Sequence, residues 1–347
     1  MKIFLVDLKN DMIGHYHIMK ALASLPNTVE IDTQEKKYSK KQLVKCVKER
    51  IRIVVSSVSK IVEQRSSNAD VAHFLTADKF YYLFWLFPGK MKGMKVYFTI
   101  HQLPKNMLLR YMLKLVAKRI TGIIVLSCYL KDQLIEMGIN NVFVINHSTF
   151  YDYTNIASQN TLKAKYHVKY KYVISSLGAT RFDKGIDILL NSFKYIPQNI
   201  KNQLVLNIAG KDSDFSKDYI LKKTKEYNIN LLDNIHVLSE LEFKEMVKIS
   251  DLIVVPYRKT FNNVSGPMSE SFSQKIPCLL PNHGIFEYYI KVQGERYSFE
   301  SENPQSLAQA IVNIFDRRNS VLINSNIEKE FQLDNFLNKH AVLYGIK

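Results

Sequence analysis

The chain has 347 residues, 46% of them hydrophobic, which fits two domains of ordinary size with real cores and excludes a disordered or fibrous chain. Its three cysteines, Cys46, Cys128 and Cys278, are odd in number and widely separated, which excludes a disulfide framework or zinc site and fits a reducing cytosol. Residues 1–150 hold 23 Lys and Arg against 11 Asp and Glu, so they carry most of the formal net charge of +16 and imply an anionic partner: a phospholipid surface, a phosphorylated lipid or nucleic acid.

The opening "MKIFLVDLKND" lacks the apolar core and small-residue cleavage site of a signal peptide and reads as a first buried strand over 2–7. Further strands are expected at 71–75, 95–100, 122–127 and 142–146, and then at 172–178, 204–210, 235–238, 252–257 and 276–281. These near-continuous apolar runs alternate with helical patterns, which predicts parallel sheets covered on both faces. Two such sets predict an α/β protein of two doubly wound domains, with the break in the polar stretch 149–167. No run reaches the 18 or so apolar residues of a membrane span.

Between the early strands lie "KKQLVKCVKERIRIVVSSVSKIVEQR" (40–65) and the aromatic run "FYYLFWLF" (80–87). Each reads either as a packed helix or as part of a surface that lies on a membrane, cations on headgroups and aromatics at the interface. Arg110, Lys114 and Lys118 fall on one line of a helix over 105–119. Together with the basic first half, that line favours an anionic membrane face. His73 and His147 end or interrupt strands and read as structural. Later, Ile186, Leu189, Leu190 and Phe193 form one buried helical face after Gly185. Ser239 and Glu242 have capping-box spacing, and Asp212–Asp214 reads as a turn.

Chemistry concentrates in two stretches. In "SLGATRFDKGIDILL" (176–190) a strand ends at Gly178, a loop carries Arg181 and Lys184, and a helix begins near Gly185. In doubly wound sheets ligands bind at such strand ends, and two cations suit a diphosphate. In "NNVSGPMSESFSQKIP" (262–277), Asn263 or Ser265 caps a new helix, Pro267 is tolerated in its first turn, and Gly266 admits a close approach to the backbone. The free amides and dipole there favour an anion. Glu270, leaning toward the helix start, is set to accept hydrogen bonds from the two hydroxyls of a ribose, with Asn262 placed to touch a sugar beyond the phosphates.

In order, "LGATRFDKGIDILL", "NIAGK", "SELEFKEMVKISDLIVVPY" and "NNVSGPMSESFSQKIPCLLPN" resemble the donor domain of glycosyltransferase family 4, of GT-B fold. The first half resembles the family more loosely, through "IGHYHIMKAL", "TIHQLP", "VLSCYLKDQLIEMGI" and "VINHS". The family's pair of acids eight positions apart falls on Asn262 and Glu270, so the first acid is replaced, and Lys275 stands where glycine is usual. The resemblance implies two Rossmann-like domains facing a central cleft: 1–160 toward acceptor and membrane, 161–325 for the nucleotide-sugar donor, and a helix in 326–347 that packs back on the first domain. It implies a retaining transfer of a sugar from a nucleotide diphosphate to a glycan acceptor, in the cytoplasm at the inner face of the membrane, with no metal and no cofactor. Arg181, Lys184 and His101 are the expected catalytic residues, and Gly14, Asn262, Asn263, Ser265, Gly266 and Glu270 the donor-binding ones. Gly14 is explained equally by a turn.

Charge and family habit point to a lipid-linked acceptor in surface polysaccharide synthesis. A soluble sugar or nucleic acid acceptor is the alternative, though no nucleic-acid-binding motif is present. A non-catalytic partner subunit is another, kept open by Asn262.

Overall fold

The computed structural model describes residues 1–8, 13–31, 33, 43–78, 80–86, 91–169, 171–261, 263–318 and 325–346. The chain divides into two compact units, Met1–Asn146 with Leu333–Lys347, and His147–Gln332. The division falls after Asn146, ahead of the boundary at 160 expected from the polar composition of 149–167. That stretch packs within the second unit, where Ser148 Oγ and the Thr149 amide donate to the Phe331 carbonyl at 2.8 and 3.0 Å.

The first unit holds six strands: β1 (Ile3–Val6), β2 (Thr28–Ile31), β3 (Val71–Phe74), β4 (Lys95–Ile100), β5 (Gly122–Val125) and β6 (Val142–Val144). All pair in parallel in the order β2-β1-β3-β4-β5-β6. Where it is described, the aromatic run is core and not membrane surface; Phe87 lies outside the described residues. Phe80, Tyr81, Leu83 and Phe84 are buried, and Phe84 packs on Phe74 and Phe98 with ring centroids 4.6 Å apart in each case. The helix Leu43–Gln64 buries Ile53, Val54, Val58 and Ile61 and leaves Lys45, Lys48 and Arg52 exposed, while Arg50 donates to the Tyr82 hydroxyl at 3.2 Å. His73 is fully buried, its ring nitrogens 2.5 Å from the Tyr344 hydroxyl and 2.7 Å from Thr99 Oγ1. This ties the C-terminal helix Leu333–Tyr344 to β3 and β4. Burial drives the His73 ring well below the usual histidine range, so it serves there as a neutral packing group.

The second unit holds β7 (Tyr172–Leu177), β8 (Leu204–Ala209), β9 (Leu231–Asn234), β10 (Leu252–Val254), β11 (Cys278–Pro281) and β12 (Ser298–Phe299), parallel in the order β12-β11-β10-β7-β8-β9. Leu252 and Val254 of β10 join one core with Leu189 and Ile311. Ile253 and the following Val255 join the other with Met268, Phe272 and Phe286. Both faces are covered, which explains the unbroken apolar runs. Ile186, Leu189, Leu190 and Phe193 are all buried, and Ser239 with Glu242 forms the expected capping box.

Three edge strands differ from the expectation. β9 lies at 231–234, ahead of the more apolar 235–238, and β2 and β12 were not foreseen. Their residues are half-exposed or few, so they lack the apolar density that marks a buried strand.

Order reverses between β7 and β10, the switch point of the second sheet. The loops that follow these strands are packed backbone to backbone. Gly185 has φ +62°, and a β-carbon there would stand 2.0 Å from the Pro256 carbonyl oxygen. Gly185→Ala should therefore lower stability by at least about 2 kcal/mol, through the left-handed backbone and the clash together. Urea denaturation measures this, and an unchanged midpoint would mean that the two loops are free to separate.

Candidate active site

Two loops and one helix start meet at the carboxyl ends of β7 and β10. The amide of Arg258 donates to the Asp183 carbonyl at 2.9 Å. The Arg258 guanidinium donates to the Phe182 carbonyl, pairs with Asp187 at 2.6 Å and lies 4.0 Å over the Phe182 ring. Arg258 thus fastens the loop after β10 to the loop after β7. Asp214, in the acidic turn, caps the Phe182 amide at 2.8 Å.

Lys184 lies inside this frame. Its ammonium rests over the Gly178 backbone, where a β-carbon would come within 2.6 Å, and stands 5.3 Å from the centre of the Tyr257 ring. The Tyr257 hydroxyl accepts from Ser265 Oγ at 3.3 Å, and Ser265 Oγ accepts from the Met268 amide at 3.3 Å. Lys184 and the N-terminus of the helix Gly266–Ser273 are therefore joined through one buried tyrosine. A β-carbon at Gly266 would meet no protein atom within 4 Å, so packing does not demand glycine there.

Arg181 is in the same loop but turned outward. Its Nε and Nη2 donate to the two Asp183 oxygens at 3.0 and 2.9 Å, and its side chain is about half exposed. The structure brings Lys184 to the helix start and does not bring the Arg181 guanidinium with it. Asn263 is half-buried just ahead of the helix. Asn262 lies outside the described residues.

Glu270 is buried on the inner face of the helix, 4% exposed. Its Oε2 accepts from Thr149 Oγ1 at 2.6 Å and from the Tyr153 hydroxyl at 2.8 Å. Burial pushes the carboxyl up to about 7, against the two hydroxyls, which favour the ionised form. Sequence reasoning missed Thr149 and Tyr153, which lie 121 and 117 residues away in the chain. It missed Tyr257 too, although that residue ends the quoted run "LIVVPY".

In the first unit, His101 follows β4 and Asp78 follows β3. Asp78 Oδ2 is 2.9 Å from His101 Nδ1, and Asp78 Oδ1 accepts the amides of His101 and Gln102 at 2.6 and 2.9 Å. Burial works to raise the Asp78 carboxyl, but the His101 ring and the two amides outweigh it and hold it below its usual value. The pair fixes which imidazole nitrogen faces the carboxylate. Gly14 is the second residue of the helix Ile13–Ala23. Among the described residues no cluster of three or more His, Cys, Asp or Glu is placed to hold a metal.

Two doubly wound units of this topology are the GT-B fold, and solved structures of that fold align along nearly the whole chain. Anabaena Alr3699/HepE in complex with UDP is 14% identical with a TM-score of 0.76, covering 99% of this chain and 100% of that one. The sucrose-phosphate synthase of Thermosynechococcus elongatus is 12% identical with a TM-score of 0.74, covering 99% and 98%. A glycosyltransferase from Rickettsia africae is 14% identical with a TM-score of 0.70, covering 99% and 98%. At these identities the likeness is one of fold. In sequence, residues 158–326, just under half of the chain, match the model of the family described as "Glycosyl transferases group 1". No curated protein matches.

The Glu270 carboxylate gives a signed test of the geometry. Its folded-state value lies above that of a free glutamate, so the stability it contributes is complete below pH 4.5 and is lost as pH rises through about 7. Glu270→Gln escapes this loss. Its advantage over wild type should grow to about 3 kcal/mol by about pH 8, as read by urea denaturation across the range. A difference that stays constant with pH would contradict the burial described here.

Proposed function

We propose that this chain is a retaining glycosyltransferase of the family 4 type. It transfers a sugar from a nucleoside diphosphate donor to a lipid-linked glycan acceptor in surface polysaccharide synthesis, at the inner face of the membrane and without a metal ion. The observation that carries this reading is the link from Lys184 through Tyr257 to the Ser265-capped start of the helix that also bears Glu270, within the stretch that matches the glycosyltransferase family. As the glycosidic bond breaks, negative charge grows on the departing diphosphate. The Lys184 ammonium and the helix N-terminus stabilise it, and removing one such donor typically costs about 2.7–4 kcal/mol of barrier. In a retaining reaction on one face the departing phosphate itself takes the acceptor's proton, so no separate base is required. His101, its ring paired with Asp78 in the first unit, is proposed as a further catalytic residue. Arg181 must leave Asp183 before it can reach a phosphate, so its contribution is the smaller.

The crystal structure of Anabaena Alr3699/HepE with UDP makes a uridine donor the first to try. In a thermal-shift panel of UDP-glucose, GDP-mannose and ADP-glucose, one donor at 100 times its dissociation constant should add about 2.7 kcal/mol of stability. Lys184→Ala and Glu270→Ala should lose that shift, and Arg181→Ala should keep part of it. Turnover should survive EDTA. A full shift in both Lys184→Ala and Glu270→Ala would sink the assignment.

The membrane part of the reading rests on the helix Met107–Ala117. At its start Met107, Leu108 and Tyr111 are 76%, 66% and 59% exposed, beside Lys105, Arg110 and Lys114. Apolar side chains framed by cations suit an anionic lipid surface, each nearby cation adding about 1 kcal/mol. Sedimentation with vesicles should show binding to phosphatidylglycerol that is weakened by Leu108→Glu and by salt, with none to pure phosphatidylcholine. Equal binding to both vesicle types would remove this part of the proposal.

A further inference from the structure

Thr149 has one hydroxyl proton and gives it to Glu270. Its Oγ1 accepts from the Tyr151 amide at 3.4 Å, and its own amide is fixed on the Phe331 carbonyl, so its rotamer and its direction of donation are both set. Tyr153 is likewise committed as a donor. Burial first, and then the Glu270 charge, raise its hydroxyl far above the usual tyrosine range, so it keeps its proton. Both bonds end on Oε2, and no described residue bonds to Oε1. A carboxylate side chain on a helix leans toward the helix start, here Ser265 and Gly266.

We propose that Thr149 and Tyr153 are positioning residues for donor recognition: they occupy Oε2 of Glu270 and leave Oε1 as the oxygen that takes the donor's ribose hydroxyls. The assignment rests on the donor reading of this site and adds to it the two residues that aim and ionise the acceptor. Oε1 of an ionised carboxylate carries two lone pairs and no proton, so it can accept from both ribose hydroxyls. Burial pushes the carboxyl here up to about 7, and the two hydroxyls keep it from going higher, so that about half of it is ionised at neutral pH. The titratable groups that face it are Tyr151 and Tyr153. On the helices packed beside it, Glu245 and Glu328 are closed on Lys165 and Lys275.

The test is calorimetric titration with UDP-glucose, GDP-mannose and ADP-glucose between about pH 6 and 9. In each of these donors both phosphates are esterified and neither titrates in that range. Wild-type affinity should rise with pH through about 7, following Glu270. Thr149→Val and Tyr153→Phe should each bind about tenfold more weakly at neutral pH and recover at the alkaline end, because loss of a donor raises the carboxyl further. Thr149→Ser should restore the wild-type profile. A loss that is equal at every pH, or no loss at all, overturns the positioning role alone. Failure of the wild type to bind any of the three donors overturns the donor reading and this inference with it.

Discussion

Leu252 and Ile253 of β10 pair with Ile174 and Ser175 of β7, strands separated in the chain by two others. Because the two are parallel and adjacent, the loops that follow them leave the sheet at the same edge and cannot avoid each other. Everything at the candidate site depends on that pairing. Gly185 lets the Pro256 backbone close in, Arg258 stitches the two loops, and Tyr257 is left between Lys184 and Ser265. A cation and a helix N-terminus from segments some 80 residues apart then point at one place. Neither needs a flexible arm to reach it, and the entropy of bringing them together has already been lost in folding.

The same edge carries an opposing cost. Glu270 is a carboxylate among buried serines and aromatic rings, and burial makes its charge unfavourable. The two hydroxyls offset part of that cost and stop short of a salt bridge, since no cation of the described residues pairs with Glu270. A lysine partner would ionise the acid more firmly but would also compete with any hydroxyl of a ligand for its oxygens. Hydroxyl partners on one oxygen favour the ionised form and leave the other oxygen available. Lys275 is a second local cost, with φ +57° in a conformation suited to glycine, partly compensated by its pairing with Glu328 at 3.2 Å. A glycine would hold this conformation without that cost.

The elements of both sheets that are buried on two faces were legible from the sequence, because such strands must be apolar along their whole length. β4 matches its predicted bounds, and β7 and β8 differ by one residue at the end. The edge strands β2, β9 and β12 were not, since their residues are half-exposed or few and resemble loop, whereas the edge strand β6 was expected where it lies. The run 80–87 left two readings open for a related reason: apolar residues look alike whether they face lipid or a core, and the packing of Phe84 against Phe74 and Phe98 decides for the core where the run is described. At the site, the cation before a helix and the acid inside one were visible as local patterns. What was not visible is direction. Arg181 and Lys184 are three residues apart, yet one is drawn outward by Asp183 and the other inward over Gly178. The partners of Glu270 sit in a segment whose polar composition read as a break between domains.

The two anion-directed features of the chain work by different physics, and that difference bears on how their cations are used. In the second unit one half-buried ammonium and a row of amides act at short range, where little water screens them and the orientation of each group matters. In the first unit the charge is spread over many exposed lysines and arginines, set beside a few exposed apolar side chains. Such charges act through a summed field that fades over about 8–10 Å in physiological salt and tolerates loss of any one of them. A site of the first kind selects by geometry and keeps its strength in salt. A surface of the second kind selects only by sign, and in the proposed membrane reading the exposed Met107, Leu108 and Tyr111 turn a salt-sensitive attraction into a defined seat. On the proposed reading, the excess of charge in the first half serves a partner that is broad and anionic, while the chemistry falls to the less charged half.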